Sequence, residues 1–121
     1  MGDRANVVVL QWSDNPPVVL YSHWYGERFL QTARDSVDSN PRIGDPSYFT
    51  RLLIREVTHD SSMLSGVGTS LDDNEHPVLV INSLNGESWT VDEQYASELL
   101  FRRKPSKKWA GDYARSGSDG R

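Results

Sequence analysis

The stretch Pro77-Val78-Leu79-Val80-Ile81-Asn82 decides the fold, because it is the clearest strand in the chain. Apolar side chains occupy successive positions, which is typical of a strand buried on both faces, so we expect it at the centre of a sheet. The dipeptide Asn85-Gly86 follows, and both residues tolerate a positive φ, which predicts a type I′ hairpin turn. Ser88-Trp89-Thr90 would then return as the second strand of that hairpin.

A second hairpin is predicted near the start of the chain. Residues Asn6–Trp12 are β-branched and apolar and too few for a good helix, and residues Val18–Trp24 have the same character. The residues between them, Ser13–Pro17, are dense in turn formers, which favours an antiparallel pair. Farther along, Gly66–Ser70 contains a lone GxG and is interpreted as either a short strand or a glycine-rich loop.

Three helices fit the remaining pattern. The first has one apolar face and ends at Ser39–Pro41, and the second begins with Asp45 as N-cap and Pro46 at the first helical position. Thr90 followed by Glu93 predicts a capping box that opens the third. This order of elements predicts an α+β two-layer fold, with a mostly antiparallel sheet of about four to five strands and the helices packed on one face.

Composition excludes several classes of protein. The chain has 121 residues, 36% hydrophobic and 25% charged, which suffices for one modest core. It has no cysteine, which excludes a disulfide scaffold, a cysteine-ligated metal and a cysteine nucleophile. No apolar run approaches the roughly 20 residues of a membrane span, and the polar start lacks the layout of a secretion signal. We therefore expect a cytoplasmic protein with no membrane partner, and no motif implies a cofactor.

Charge divides the chain in two. The net charge of −4 combines 6 basic and 15 acidic residues up to Phe101 with 7 basic and 2 acidic residues in Arg102–Arg121, where all three lysines lie. We therefore predict a single domain at 1–101 and a basic, glycine- and serine-rich flexible tail at 102–121. The acidic domain would repel a phosphate backbone, which argues against a nucleic-acid partner.

The end of the second predicted strand carries the first candidate site. Tyr21, His23, Trp24 and Tyr25 could form a platform for a ligand, because aromatic rings stack and imidazole exchanges a proton near neutral pH. The alternative is that Trp24 packs into the core and His23 caps a loop.

An acidic run before the central strand is the second candidate. Asp73, Glu75 and His76 are weak candidates for ligands of Ca²⁺ or Mg²⁺, although the spacing of an EF-hand is missing, and the alternative is a solvated loop. A sharper hypothesis places Asp73 or Glu75 beside His23, which would give a His–carboxylate pair for general-base catalysis. No nucleophile elbow and no His-Glu-x-x-His motif supports a hydrolase.

Arginine supplies the third candidate. Arg4, Arg51 and Arg55 could converge as an anion site, because the guanidinium is a fixed fork of donors that matches carboxylate and phosphate. The alternative is that these side chains neutralise neighbouring acids.

Two segments also carry a resemblance to a known group. Met1–Val9, which is MGDRANVVV, and Leu20–Trp24, which is LYSHW, resemble uncharacterised small proteins of actinobacteria and their phages that open with MGDRxNIVV and continue with LYTHW. The similarity covers most of Met1–Phe101 and leaves out the tail, and these relatives typically have Gly-Gly where this chain has Tyr25-Gly26. The resemblance implies a biological setting, an actinobacterium or its phage, but it implies no mechanism. It adds one set of residues expected to share a site: Arg4, Asn6, His23, Trp24, Asp73, Asn74 and Glu75.

These observations favour a small non-enzymatic binding protein, encoded by a phage or mobile element, that binds a host protein or sequesters a small ligand. His23, Trp24 and Tyr25 would line its site, and Arg4 or Arg51 would contact an anion. One alternative is a small hydrolase or metal-dependent enzyme that uses His23 with a carboxylate of the acidic run. Another is a virion or assembly subunit, or a homodimer built by pairing exposed sheet edges.

Overall fold

The computed structural model describes residues 2–11, 16–59 and 63–101. The tail predicted at 102–121 and most of the first predicted turn lie outside these residues. The elements in chain order are β1 (Ala5–Leu10), β2 (Val18–Ser22), α1 (Gly26–Ser39), α2 (Pro46–Thr58), β3 (Gly66–Gly68), β4 (Val78–Asn82), β5 (Ser88–Val91) and α3 (Glu93–Phe101). None of the described helices is long and apolar enough to cross a lipid bilayer.

The strands form one five-stranded sheet in the order β3-β2-β1-β4-β5. Three of the four pairings are antiparallel, and only the central pair, β1 with β4, is parallel. Two parallel neighbours cannot be joined by a tight turn, and here α1 and α2 lie within the long connection between them. The predicted α+β fold with a mostly antiparallel sheet is therefore confirmed. The run at Val78–Asn82 is a buried interior strand, as its sequence indicates, but β1 occupies the centre of the sheet and β4 lies between β1 and β5.

Both faces of the sheet are apolar. Alternate residues of β1 point to opposite sides, so Val7 and Val9 belong to one core cluster and Val8 and Leu10 to the other. The apolar stripes of α1 and α2 cover the first face, as expected. The prediction of all helices on one face is wrong for α3, whose Ala96 packs with the second cluster. The physical reason is that strands apolar on both sides need cover on both sides.

Two local predictions are also corrected. The β4–β5 hairpin forms, but only Gly86 has a positive φ, of 79°, and Asn85 does not, so the turn is not type I′. The side chain of Asn82 shapes this turn by accepting the Leu84 N–H at 2.9 Å. Thr90 lies in β5 and forms no capping box; Asp92 caps α3 instead, accepting the Tyr95 N–H at 2.7 Å.

Candidate binding site

Nearly all the candidate residues lie together at one end of the strands. Because β4 is parallel to β1 and β2 is antiparallel to it, the start of β1, the end of β2 and the start of β4 lie together. Three short segments meet there. We call residues 2–4 the N-terminal clasp, residues 23–25 the aromatic turn, and residues 72–76 the acidic loop.

Asp3 of the clasp joins the aromatic turn to the start of α1. Its N–H donates to the carbonyl of His23 at 2.9 Å, and its own carbonyl accepts the N–H of Gly26 at 2.7 Å. Its carboxylate accepts the N–H of Glu27 at 3.1 Å. The first N–H groups of a helix have no partner within the helix, and the preceding Tyr25 supplies no side-chain cap. Asp3 therefore caps α1 from a distant part of the chain.

The same carboxylate reaches the acidic loop. Its second oxygen, Oδ1, lies 2.5 Å from Nε2 of His76. The hydrogen bond to His76, followed by that from the Glu27 N–H, holds the pKa of Asp3 below its ordinary value. This His–carboxylate pair was not among the sequence predictions, which consider His76 only as a metal ligand and do not consider the Asp3 carboxylate.

Arg4 forms ion pairs with both candidate carboxylates of the acidic loop. Its Nε donates to Glu75 at 3.0 Å, its Nη1 donates to Asp73 at 3.1 Å, and its carbonyl accepts the Glu75 N–H at 2.8 Å. The bond from Arg4 lowers the pKa of Glu75, and the same bond raises the pKa of Arg4. At Arg4 the geometry thus matches the alternative in which arginine neutralises neighbouring acids.

Asn6 fixes the acidic loop from beneath. Its side chain is fully buried, its Oδ1 accepts the Asp72 N–H at 3.1 Å, and its Nδ2 donates to the Asp72 carbonyl and to Asn74 Oδ1, each at 3.1 Å. Asn74 in turn donates to the carbonyl of His76. Because both polar atoms of Asn6 are engaged inside the protein, its geometry favours a structural role.

His23 is bonded to a phenol. Its Nδ1 lies 2.8 Å from the hydroxyl of Tyr21, and its backbone N–H donates to Ser65 at 2.9 Å. Burial is the main cause of the raised pKa of Tyr21. In the described part of the chain, the bonds of His23 do not include the hypothesised pairing with Asp73 or Glu75.

No metal cluster forms around the acidic loop. Across residues 2–11, 16–59 and 63–101, no three His, Asp or Glu side chains are grouped so that they could hold a metal ion. Asp73 and Glu75 both face Arg4, while His76 faces Asp3. The loop as folded is a structural connection to the N-terminal clasp.

The aromatic turn projects into solvent. Trp24 is 59% exposed and Tyr25 is 42% exposed, so the alternative that Trp24 packs into the core is wrong. The ring of Trp24 meets the imidazole of His23 edge-on, with 4.4 Å between the ring centroids. The turn is closed tightly, because a Cβ added to Gly26 would lie 2.5 Å from the Asp3 carbonyl oxygen. Such a closely packed turn presents its two large rings on a fixed backbone.

Arg51 and Arg55 lie elsewhere. Both are on α2, where the guanidinium carbon of Arg51 is 5.5 Å from the ring centre of Tyr48 and Arg55 makes a 3.8 Å ion pair with Glu56. Arg4 lies at the start of β1, so the structure does not bring the three arginines of the predicted anion site together.

Comparisons with known proteins were made at three levels. None of the family models, curated protein sequences and solved structures that were compared gave a match to this chain. A function therefore has to be inferred from the residues and contacts at the site.

Proposed function

We propose that this chain is a non-enzymatic binding protein that docks on a protein partner through its aromatic turn. The observation that carries the proposal is the pair of neighbouring exposed rings, Trp24 at 59% and Tyr25 at 42%. Keeping large apolar surface in water forgoes the stabilisation that burial would give, about 25 cal/mol per Å². Trp and Tyr are also the residues that most often dominate the binding energy of protein interfaces.

The fixed backbone of the turn supports this role. Asp3 bonds to the residues on both sides of the rings, and Ser22 accepts the Tyr25 N–H at 3.3 Å. The Tyr25 carbonyl accepts the Phe29 N–H at 2.7 Å as α1 begins. Ordering a mobile loop on binding costs free energy, and a turn that is already ordered avoids much of that cost.

The shape of the surface favours a protein over a small ligand. The groove beside the turn has a volume of about 440 Å³ and is lined by Asp3, Tyr25, Glu27, Arg28 and Gln31. Trp24 does not line this groove. An exposed indole on a turn whose neighbouring groove carries Asp3, Glu27 and Arg28 matches the common arrangement of an apolar anchor inside a polar rim, and it would enter a cleft on the partner.

The enzymatic alternative has less support. It needs a free carboxylate beside His23, whereas Asp73 and Glu75 are both engaged by Arg4. The resemblance to proteins of actinobacteria and their phages supports a host protein as the partner and the host cytoplasm as the setting. The acidic charge of residues 1–101 supports a partner other than nucleic acid.

The test compares Trp24→Ala with Ile43→Ala, which removes another exposed apolar side chain, 47% exposed, near the opposite end of α1. A partner captured with the wild-type chain is purified, and its affinity for each variant is measured by calorimetry. We expect Trp24→Ala to weaken binding at least about tenfold, as truncating an interface anchor does, and Ile43→Ala to bind like the wild type. Equal affinities of the two variants, or unfolding of Trp24→Ala, would contradict the proposal.

A further inference from the structure

A surface of different chemistry lies at the other end of α1. Arg42 follows that helix by three residues, and its guanidinium carbon is 4.3 Å from the ring centre of Tyr48. The guanidinium carbon of Arg51, on α2, is 5.5 Å from the centre of the same ring. Among the described residues, neither of these two guanidiniums is in an ion pair with a carboxylate.

A groove opens beside Arg42 and Tyr48. It has a volume of about 360 Å³, its lining includes Arg42, Tyr48, Leu52, Arg55 and Glu56, and Arg51 lies outside it. Pockets for small ligands start at about 300 Å³, so a compact group fits there. The ion pair of Arg55 with Glu56, at 3.8 Å between two exposed side chains, is weak and easily exchanged for a better acceptor.

This surface is rich in arginine although residues 1–101 are acidic overall. Up to Phe101 the chain has 15 acidic and 6 basic residues, and three of those six are Arg42, Arg51 and Arg55. Neighbouring cations repel each other, and a bound anion relieves that repulsion. The contact with the Tyr48 ring also positions the Arg42 guanidinium before any ligand arrives.

We propose that the groove between α1 and α2 binds a phosphate monoester through Arg42 and Arg55. A phosphate monoester carries a charge of about −1.5 to −2 at pH 7 and three acceptor oxygens, so it can accept from more than one arginine fork. A carboxylate carries one charge and two oxygens and satisfies a single fork. The organic part of the ester would lie against Leu52. The source is either a free small molecule such as a mononucleotide or a phosphorylated side chain of a peptide.

This site is separate from the aromatic turn. The aromatic turn precedes the first residue of α1, Gly26, whereas the groove begins at Ser36 of the same helix, ten residues or about 15 Å farther along. Phosphate binding therefore does not depend on the proposed protein docking, and Trp24→Ala should bind the ester like the wild type.

The experiment titrates the full chain with adenosine monophosphate, with a phosphoserine peptide and with acetate, at low ionic strength, by NMR chemical shifts. The variant is Arg42→Gln with Arg55→Gln. The matched control is Lys107→Gln with Lys108→Gln, which removes the same charge from the tail. We expect the wild type and the control to bind a phosphate ester saturably and the arginine variant to lose at least about tenfold in affinity. The tighter of the two esters identifies the source.

A second variant distinguishes a loss of binding from a loss of folding. Arg42→Lys with Arg55→Lys keeps the charge and removes the planar forks, and we expect it to bind the ester more weakly than the wild type while unfolding at the same temperature. Unchanged affinity of the glutamine variant would overturn the proposal. An equal loss in the tail control, or acetate binding as tightly as the esters, would overturn it as well.

Discussion

At the amino-terminal end of α1, Asp3 and Arg4 are bonded to side chains of the acidic loop, whereas beyond its carboxyl-terminal end Arg42 and Arg51 lie against the ring of Tyr48. The first set of charges is satisfied inside the protein and joins three segments that are far apart in sequence. The second set has no carboxylate partner among the described residues. The difference indicates that the paired charges at the amino-terminal end hold the fold together, whereas the second set of cations and the exposed rings of the aromatic turn contribute less to it.

The largest effect on stability is expected at Asn6. Asn6→Ala removes a fully buried amide and leaves the Asp72 backbone groups without their partner. We expect the free energy of unfolding to fall by about 3 kcal/mol, since the substitution removes three hydrogen bonds to Asp72 and Asn74, each worth about 0.5–1.5 kcal/mol. Urea denaturation measures the change. Gln94→Ala, an exposed amide on α3, is the control and should shift stability by less than about 0.5 kcal/mol. Similar losses for the two variants would mean that Asn6 does not hold the acidic loop.

The next largest effect is a difference in stability between alanine substitutions at two glycines. A Cβ at Gly26 would lie 2.5 Å from the Asp3 carbonyl oxygen and 3.0 Å from the His76 ring, whereas one at Gly66 meets nothing within 4 Å. We expect Gly26→Ala to lose about 2 kcal/mol of stability by overpacking, although alanine is the better helix former. Gly66→Ala should be close to neutral. If thermal unfolding ranked the two variants in the reverse order, the tight closure of the N-terminal clasp on α1 would be disproved.

Much of the fold could be predicted because its signals are local. The apolar run at Val78–Asn82 and the Asp45-Pro46 start of α2 are short patterns, and the structure contains both elements where they were expected. The site was less predictable, because Asp3 meets Glu27 and His76, which are 24 and 73 residues away. No spacing rule reports such pairs.

The errors in the predictions have the same origin. Thr90 and Glu93 match a capping-box pattern, but pairing of β5 with β4 places Thr90 in a strand. A search for polar residues just before the first strand would have drawn attention to Asp3. It would not have identified the α1 N-terminus as its partner, since that contact depends on how the sheet is assembled.

The bonded carboxylates at the amino-terminal end of α1 should make the stability of the protein depend on pH. The pKa values of Asp3 and Glu75 in the folded protein lie below their ordinary values of 3.8 and 4.5. Depressed carboxyl pKa values contribute stability above the unfolded values, and that contribution is lost as the pH falls through the folded ones. We therefore expect the midpoint of urea unfolding to fall from pH 5 to pH 3. Asp3→Asn should flatten this dependence, and Asp38→Asn should leave it intact. An unchanged slope in Asp3→Asn would contradict the pairing.

A smaller difference is expected between two arginines. Arg4→Gln breaks the bonds to Asp73 and Glu75 and should lower the melting temperature measurably. Arg51→Gln removes only an exposed cation beside Tyr48, so we expect a change within about 0.5 kcal/mol. Thermal unfolding followed by circular dichroism at low salt compares them. Equal destabilisation by the two substitutions would contradict the view that the ion pairs of Arg4 stabilise the fold and that Arg51 does not.

The most direct test of the central claim measures stability and partner affinity on the same variant, Trp24→Ala. The aromatic turn is an exposed surface on a fixed frame, so the free energy of unfolding should change by less than about 0.5 kcal/mol. The affinity of the folded variant for the purified partner should fall at least about tenfold. A loss of several kcal/mol in stability, with unchanged affinity of the molecules that remain folded, would show that Trp24 serves the fold and would contradict the account.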